Sequence, residues 1–288
     1  MLDRRSFVLT SLATAGLAAT TLVGCGGAPA AGEDADPSTD ETTAGTGAVD
    51  TGTLIVGFDS SYPPYGYVGD DGEYTGFDLE LAQEVASRND WEVQLEPIDW
   101  DAKDTMLDSG AINCIWNGFT MEGREDDYTF SEPYMINGQV VVVRADSGIA
   151  SFDDLAGKTV ITQVDSAAYN VLAGEDATQA ELAATFDSLE TIGEYNTAFM
   201  QLESGAVDAV ACDLSIAAYQ LAAKPDAYVQ LDEFLSEEHY AVGFKKGDDA
   251  TADVVNETLR AMDEDGFVAE LCDKYAADGI SYDNWCLE

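Results

Sequence analysis

The arginine in "WNGFTMEGREDDYTF", Trp116 to Phe130, stands between a glycine and an acidic run, in a chain with 56 acidic and only 12 basic side chains. A guanidinium carries a permanent charge on a rigid planar fork, and that fork meets a carboxylate with two parallel hydrogen bonds. Arg124 therefore suits two tasks. It can pair on the surface with Glu122, Glu125 or Asp126, a contact worth about 0 to 1 kcal/mol, or it can hold the carboxylate of a ligand. The residue types alone leave both open. The remaining chemistry-bearing residues exclude more than they suggest. A single histidine, His239, cannot build a His-based metal cluster, and it leaves no nucleophile with a histidine base. There is no C-x-x-C pair, no G-x-S-x-G elbow and no phosphate loop. Acidic runs such as "GREDD" and "MDEDGF" lack the spacing of a calcium loop and read as solvated faces. The expectation is recognition without bond-making: no catalytic residue, no metal and no cofactor.

Composition narrows the partners. With 288 residues and 46% hydrophobic side chains, the chain can bury the core of one large domain or two ordinary ones. A formal net charge of -44 repels nucleic acid, which is bound mainly through lysine and arginine on phosphates, so nucleic-acid partners are excluded. Residues 1–25 read as an address. Arg4 and Arg5 precede an apolar run from Phe7 to Val23 that ends at "LVGC". The run is short for a membrane span and fits a bacterial-type lipoprotein signal, with Cys25 as the lipidated residue at its end. "DRRSFVLT" also resembles a twin-arginine export signal. Residues 26–50 are Gly, Ala, Ser, Thr, Asp and Glu without apolar periodicity. They read as a flexible acidic tether with a typical span of about 25 to 30 Å.

Beyond the tether, strand and helix patterns alternate, which predicts an α/β fold. "TLIVGF" reads as a strand, "YPPYGY" as a loop without regular structure, and "GFDLELAQEVASRN" as a helix with Leu81, Ala82, Val85 and Ala86 on one face. "WEVQLEPI" follows as a strand, "AKDTMLDSG" as a helix closed by Gly110, and "INCIW" as a buried strand. After "VVVV", Val140 to Val143, the segment "SFDDLAGKTVITQ" predicts a capped short helix, a stop at Gly157 and a strand. "NTAFMQLESGAVDAVACD" then repeats the helix, Ser-Gly stop and strand order of "AKDTMLDSGAINCIWNG". Two similar lobes follow from that order.

From about Leu54 to Tyr275 the chain resembles the extracellular solute-binding proteins of ABC transporters for polar amino acids. Seven pieces occur in the family's order: "VGFDSSYPPYGY" with "GFDLELAQEVA", "IDWDAKDTMLDSGAINCIWNGFTMEGRE", "FSEPYMINGQVVVVR", "SFDDLAGKTVITQ", "LESGAVDAVACD" and "SEEHYAVGFKKGD". The resemblance implies the two-lobed periplasmic-binding-protein fold of type II, each lobe a central β-sheet flanked by helices, with two chain crossings. Lobe 1 would comprise residues 51–144 and 240–288, and lobe 2 residues 145–239. Ligand would sit between lobes that close around it.

The resemblance also gives Arg124 its task, as the clamp on an α-carboxylate. Thr120, with the backbone near Asn117 and Gly118, would hold the same group. Thr120 and Arg124 are four steps apart where the commoner pattern has five, so "MEGR" must take a tighter path using Gly123. Asp213, at the end of the apolar strand "AVDAVAC", matches the position that holds the α-ammonium. Ser166 in "QVDSAAY" matches a carboxylate-contacting hydroxyl, while Asp165 and Ala167 replace the more usual Gly and Thr. Tyr62 and Trp100 match aromatic positions that sandwich the ligand side chain, and Asp59 matches a position near its distal end. Trp116 reads as core. Of four cysteines after Cys25, Cys114 and Cys212 read as buried apolar residues, and Cys272 and Cys286 as a possible disulfide outside the cytoplasm.

These readings imply a lipid-anchored, extracytoplasmic protein that captures a polar L-amino acid and delivers it to the permease subunits of an ABC transporter, with no enzymatic activity. Two alternatives share the fold: a component that presents ligand to a sensor, and a dehydratase of cyclohexadienyl compounds.

Overall fold

The computed structural model describes residues 52–287, which lie within one compact unit. The signal peptide, Cys25 and the tether expected from the sequence fall outside the described residues. Two five-stranded sheets form the frame. The first runs in the order Glu92–Pro97, Thr53–Phe58, Cys114–Ile115, Gly243–Lys245, Tyr128–Phe130. The second runs in the order Ser188–Ile192, Thr159–Gln163, Ala209–Asp213, Met135–Arg144, Tyr228–Tyr240. Thr53–Phe58 pairs in parallel with both of its neighbours, whereas Gly243–Lys245 enters antiparallel between Cys114–Ile115 and Tyr128–Phe130. The chain therefore leaves the first sheet, builds the second, and returns: two lobes and two crossings, as expected.

One boundary moves. The strand Met135–Arg144, expected at the end of lobe 1, is paired on both sides within the second sheet, to Ala209–Asp213 and to Tyr228–Tyr240. The reason lies in the run "VVVV". Val140 to Val143 are all buried, which demands cover on both faces and neighbours on both edges. The first crossing accordingly precedes Met135.

Local signals place the remaining elements. The helix Phe77–Arg88 buries Leu81, Ala82, Val85 and Ala86 along one stripe, as their spacing requires. The helices Lys103–Ser109 and Tyr195–Ser204 both end on a glycine in the left-handed region, Gly110 at φ 78° and Gly205 at φ 77°. That conformation penalises any side chain with a Cβ, so the two Ser-Gly stops are the same device used twice. The capped short helix is the 3-10 turn Phe152–Leu155, with Ser151 and Asp154 forming a reciprocal capping box. "YPPYGY" carries more structure than its prolines suggested. Tyr62 pairs with Gly66 in a small three-stranded sheet of Ser61–Tyr62, Gly66–Val68 and Tyr74–Thr75, with the two prolines confined to the turn. Proline lacks only the N–H, so a turn between short strands tolerates it.

The suggested disulfide is not formed: Cys272 and Cys286 are both free thiols. Cys272 is buried at 2% exposure on the core side of the helix Phe267–Lys274, while the Cys286 thiol faces the carbonyl of Pro133 at 3.6 Å. Cys114 and Cys212 are fully buried in strands, and burial pushes both thiols up and out of the reactive range. Trp116 is fully buried, as expected.

Candidate functional site

A narrow cleft lies between the two sheets, lined by Tyr62, Trp100, Asn117, Gly118, Thr120 and Arg124 from the first lobe and by Gln163, Ser166, Ala167 and Asp213 from the second. Eight of the nine ligand residues expected from the sequence thus converge on one space. The ninth, Asp59, lines an adjoining groove with Pro97, Asp99, Asp101 and Glu194, and Trp100 borders both.

Arg124 is held from behind. Its Nη1 donates to the Thr120 carbonyl at 2.9 Å, its guanidinium lies 4.8 Å from the centre of the Phe119 ring, and only 8% of the residue is exposed. The four-step loop is a tight turn: the Arg124 N–H donates to the Met121 carbonyl at 3.1 Å, with Gly123 at φ 78° in the third position. A turn of that type needs a positive φ there, so Gly123 supplies the shorter path that the spacing demanded. Arg124 Nη2 also reaches the second lobe, 3.4 Å from the Asp165 carbonyl.

Two residues perform tasks that the resemblance did not imply. The Gly118 N–H, expected to face a ligand carboxylate, donates at 2.5 Å to Asp78, a buried carboxylate that also accepts from the Tyr134 hydroxyl at 2.8 Å. Burial lifts the Asp78 carboxyl to about 7 against the pull of those two donors. Gly118 itself sits at φ 57°, where an added Cβ would approach the Tyr240 and Tyr62 rings at 3.0 and 3.1 Å. The Ser166 hydroxyl accepts from the Tyr169 N–H at 3.1 Å, which caps the helix Ala167–Ala173. Asn117 keeps both atoms of its buried side-chain amide without a protein partner, and it lines the cavity. An orphaned buried amide costs about 1 to 3 kcal/mol, so Asn117 offers a donor and an acceptor to whatever enters the cavity.

On the opposite wall Asp213 ends the strand Ala209–Asp213. Its Oδ1 accepts from Gln139 Nε2 at 2.7 Å, from the Tyr240 hydroxyl at 2.8 Å and from Asn137 Nδ2 at 3.2 Å. The lobes also touch beside the cavity. Gln163 Nε2 donates to Asp59 Oδ2 at 2.7 Å, and Lys103 forms an ion pair with Asp165. Burial, with the nearby Glu194 and Asp99 charges, raises the Asp59 carboxyl to about 6 even though the Ser61 N–H and Gln163 stabilise its charged form.

Sequence reasoning missed Gln163 and Ala167 in the lining, and Asn137, Gln139, Glu238 and Tyr240 behind Asp213. A signal existed for the first two amides. Asn137 and Gln139 lie two apart in a strand whose central residues are apolar, so both project from the same face. His239 pairs its Nδ1 with Glu122 Oε1 at 2.6 Å on the surface.

Residues 54–278 match the model of the bacterial extracellular solute-binding proteins, family 3. Over 232 residues, 78% of this chain and 82% of the relative, the sequence is 33% identical to the L-cystine-binding protein TcyJ of Escherichia coli strain K12. The substrate-binding protein of an ABC uptake transporter from Streptococcus pneumoniae, solved with bound histidine, superposes with a TM-score of 0.75 at 31% identity, over 80% of this chain and 94% of that one. The ancestral amino acid-binding protein AncCDT-1, described as a precursor of cyclohexadienyl dehydratase, superposes with a TM-score of 0.69 at 30% identity, over 77% of this chain and 95% of that one. With its two lobes, its two crossings and a cavity between them, the chain belongs to the bacterial extracellular solute-binding proteins, family 3.

Proposed function

We propose that this protein captures a polar L-amino acid between its lobes and delivers it to the permease of an ABC transporter. One observation carries the reading: Arg124 from the first lobe and Asp213 from the second line the same small cavity. A guanidinium and a carboxylate on opposite walls match the two ends of a zwitterion. Arg124 clamps the α-carboxylate with help from the Thr120 and Ser166 hydroxyls, Asp213 holds the α-ammonium, and Tyr62, Trp100 and Asn117 face the side chain. Because each lobe grips one end, the ligand stabilises the closed arrangement over the open one by its differential contacts. Asp59 sits in the acidic groove beyond Trp100, where a longer side chain would end.

The family is extracellular, so capture takes place outside the cytoplasm. Cys25 anchors the chain by lipid, and residues 26–50 tether the lobes near the permease. Similarity to proteins named for cystine binding and solved with histidine supports an amino acid with a polar or second charged end. The capture is reversible and makes no bond. AncCDT-1 is itself named an amino acid-binding protein, so that likeness adds to this reading and not to a dehydratase.

A thermal-shift screen of the purified protein against the standard amino acids, L-cystine and prephenate tests the reading. A ligand at a hundredfold excess over its Kd adds about 2.7 kcal/mol of stability. A shift with one or a few amino acids is expected. No shift with any of them, or a shift with prephenate alone, contradicts capture of an amino acid. Loss of uptake of that amino acid on deletion separates transport from a sensory role.

A further inference from the structure

The carboxylate of Asp213 does not stand alone. Glu238, on the strand Tyr228–Tyr240, is 2% exposed, and its Oε1 accepts from Asn137 Nδ2 at 2.6 Å and from Gln139 Nε2 at 2.7 Å. These are the same two amide nitrogens that donate to Asp213 Oδ1. Each NH₂ group has two hydrogens, and each gives one to either carboxylate. The amides therefore hold two buried carboxylates in one small space, with every available amide hydrogen used. Their other neighbours are hydroxyls: Tyr240 donates to Asp213, and Thr120 from the first lobe faces Glu238. Arg124 stands one step further off, bonded to the Thr120 carbonyl, and the Glu122–His239 pair lies beside it at the surface. Among the described residues no cation pairs with either acid.

Two buried carboxylates without a counter-charge do not both ionise readily, because burial and mutual repulsion favour keeping a proton on one of them. A single arriving ammonium changes that balance. We propose that Glu238 is the second carboxylate of the ammonium site, and that seating an ammonium on Asp213 drives a proton from Glu238 into solvent. The proposal rests on the amino-acid reading above. One O–H bond on Glu238 breaks, its electron pair stays on the carboxylate, water or buffer takes the proton, and the ammonium's charge takes its place. Burial first, and Asp213 second, raise the Glu238 carboxyl well above the ordinary carboxylate range, so the empty site favours a proton on Glu238. Capture then tightens as pH rises and loosens in acid, the sign required when the bound state holds fewer protons.

Isothermal titration of the full chain at pH 7, with L-cystine, L-histidine, L-arginine and L-glutamine in turn, tests this. The same titration in phosphate and in imidazole buffer gives the number of protons exchanged. Wild type should release close to one proton per amino acid bound, and its affinity should rise up to tenfold per pH unit between pH 6 and 8. Glu238→Gln should release close to none and lose that slope, while Glu238→Asp, which keeps a titrating group, should retain both. Binding by wild type without proton release overturns the inference, as does an equal release by Glu238→Gln. If none of the four binds wild type, the amino acid found in the thermal-shift screen takes their place; if the screen finds none, the amino-acid reading falls and takes the inference with it.

Discussion

Lys103 and Asp165 form an ion pair between the lobes, joining the helix Lys103–Ser109 to the turn after the strand Thr159–Gln163. Lys103 is only 2% exposed and its ammonium lies 5.4 Å from the centre of the Trp100 ring. Asp165 stands at φ 57°, a left-handed position that aspartate tolerates better than most residues. The residue that replaces the family's more usual glycine therefore supplies a contact that glycine could not. Because Asp165 is partly exposed, the pair is worth less than a buried one. Lys103→Met should weaken amino-acid binding by about 1 to 2 kcal/mol, roughly 5- to 30-fold, with little change in the melting temperature of the unliganded protein. Titration calorimetry on the variant checks it; unchanged affinity would show that the pair does not support the closed form.

Arg124 is the one cationic side chain among the residues that line the cavity. Arg124→Ala should cost about 2 to 5 kcal/mol of binding, the usual penalty for stranding one partner of a buried charge pair, and so at least tenfold in affinity. Arg124→Lys should fall between, since an ammonium keeps the charge and loses the fork. Equal affinity of all three proteins would remove the clamp from the account.

Gly118 couples the cavity to the core. Gly118→Ala places a methyl at φ 57° within 3.0 Å of the Tyr240 ring and strains the N–H bond to Asp78. A loss of about 1 to 3 kcal/mol of stability is expected, which is a fall of roughly 2 to 12 °C in melting temperature for a protein of this size. Differential scanning calorimetry reads it directly. A variant that melts with wild type would mean that the loop relaxes without strain.

Asp78 gives the fold a pH dependence of its own. Its carboxyl rises from 3.8 in the free residue to about 7. Between those values the folded protein holds a proton that the unfolded chain has lost, so stability is fully present at low pH and declines as pH climbs through this window. The slope is at most about 1.4 kcal/mol per pH unit. Asp78→Asn cannot titrate. The stability of wild type relative to this variant should therefore shrink from pH 4 to pH 7 in urea unfolding; a constant difference would contradict the account.

Several of these residues were legible in the sequence, and the reason differs from case to case. Arg124 and Asp213 could be placed in the cavity lining because their positions are tied to strand ends and turns, which short motifs specify well. Tyr62 and Trp100 were found because the motifs around them fix where an aromatic ring meets the cleft. Gly118 lines the cavity, while the acceptor of its N–H, Asp78, lies 40 residues away in the sequence, where no local motif announces it. Glu238 was invisible for a compositional reason. In a chain of 56 acidic residues the run "SEEHY" reads as surface, and only strand pairing shows that Glu238 turns inward opposite Asn137. The misplaced crossing has a similar origin: the run "VVVV" announces a buried strand without naming which sheet it joins.

The claim that both ends of a zwitterion are gripped is tested most directly by removing one end at a time. Titration calorimetry would compare the tightest-binding amino acid from the screen with its methyl ester and its N-acetyl derivative. The account predicts that each loses at least tenfold in affinity, that Arg124→Ala is insensitive to esterification, and that Asp213→Asn is insensitive to acetylation. Binding of the ester or the acetylated form as tightly as the parent would contradict it.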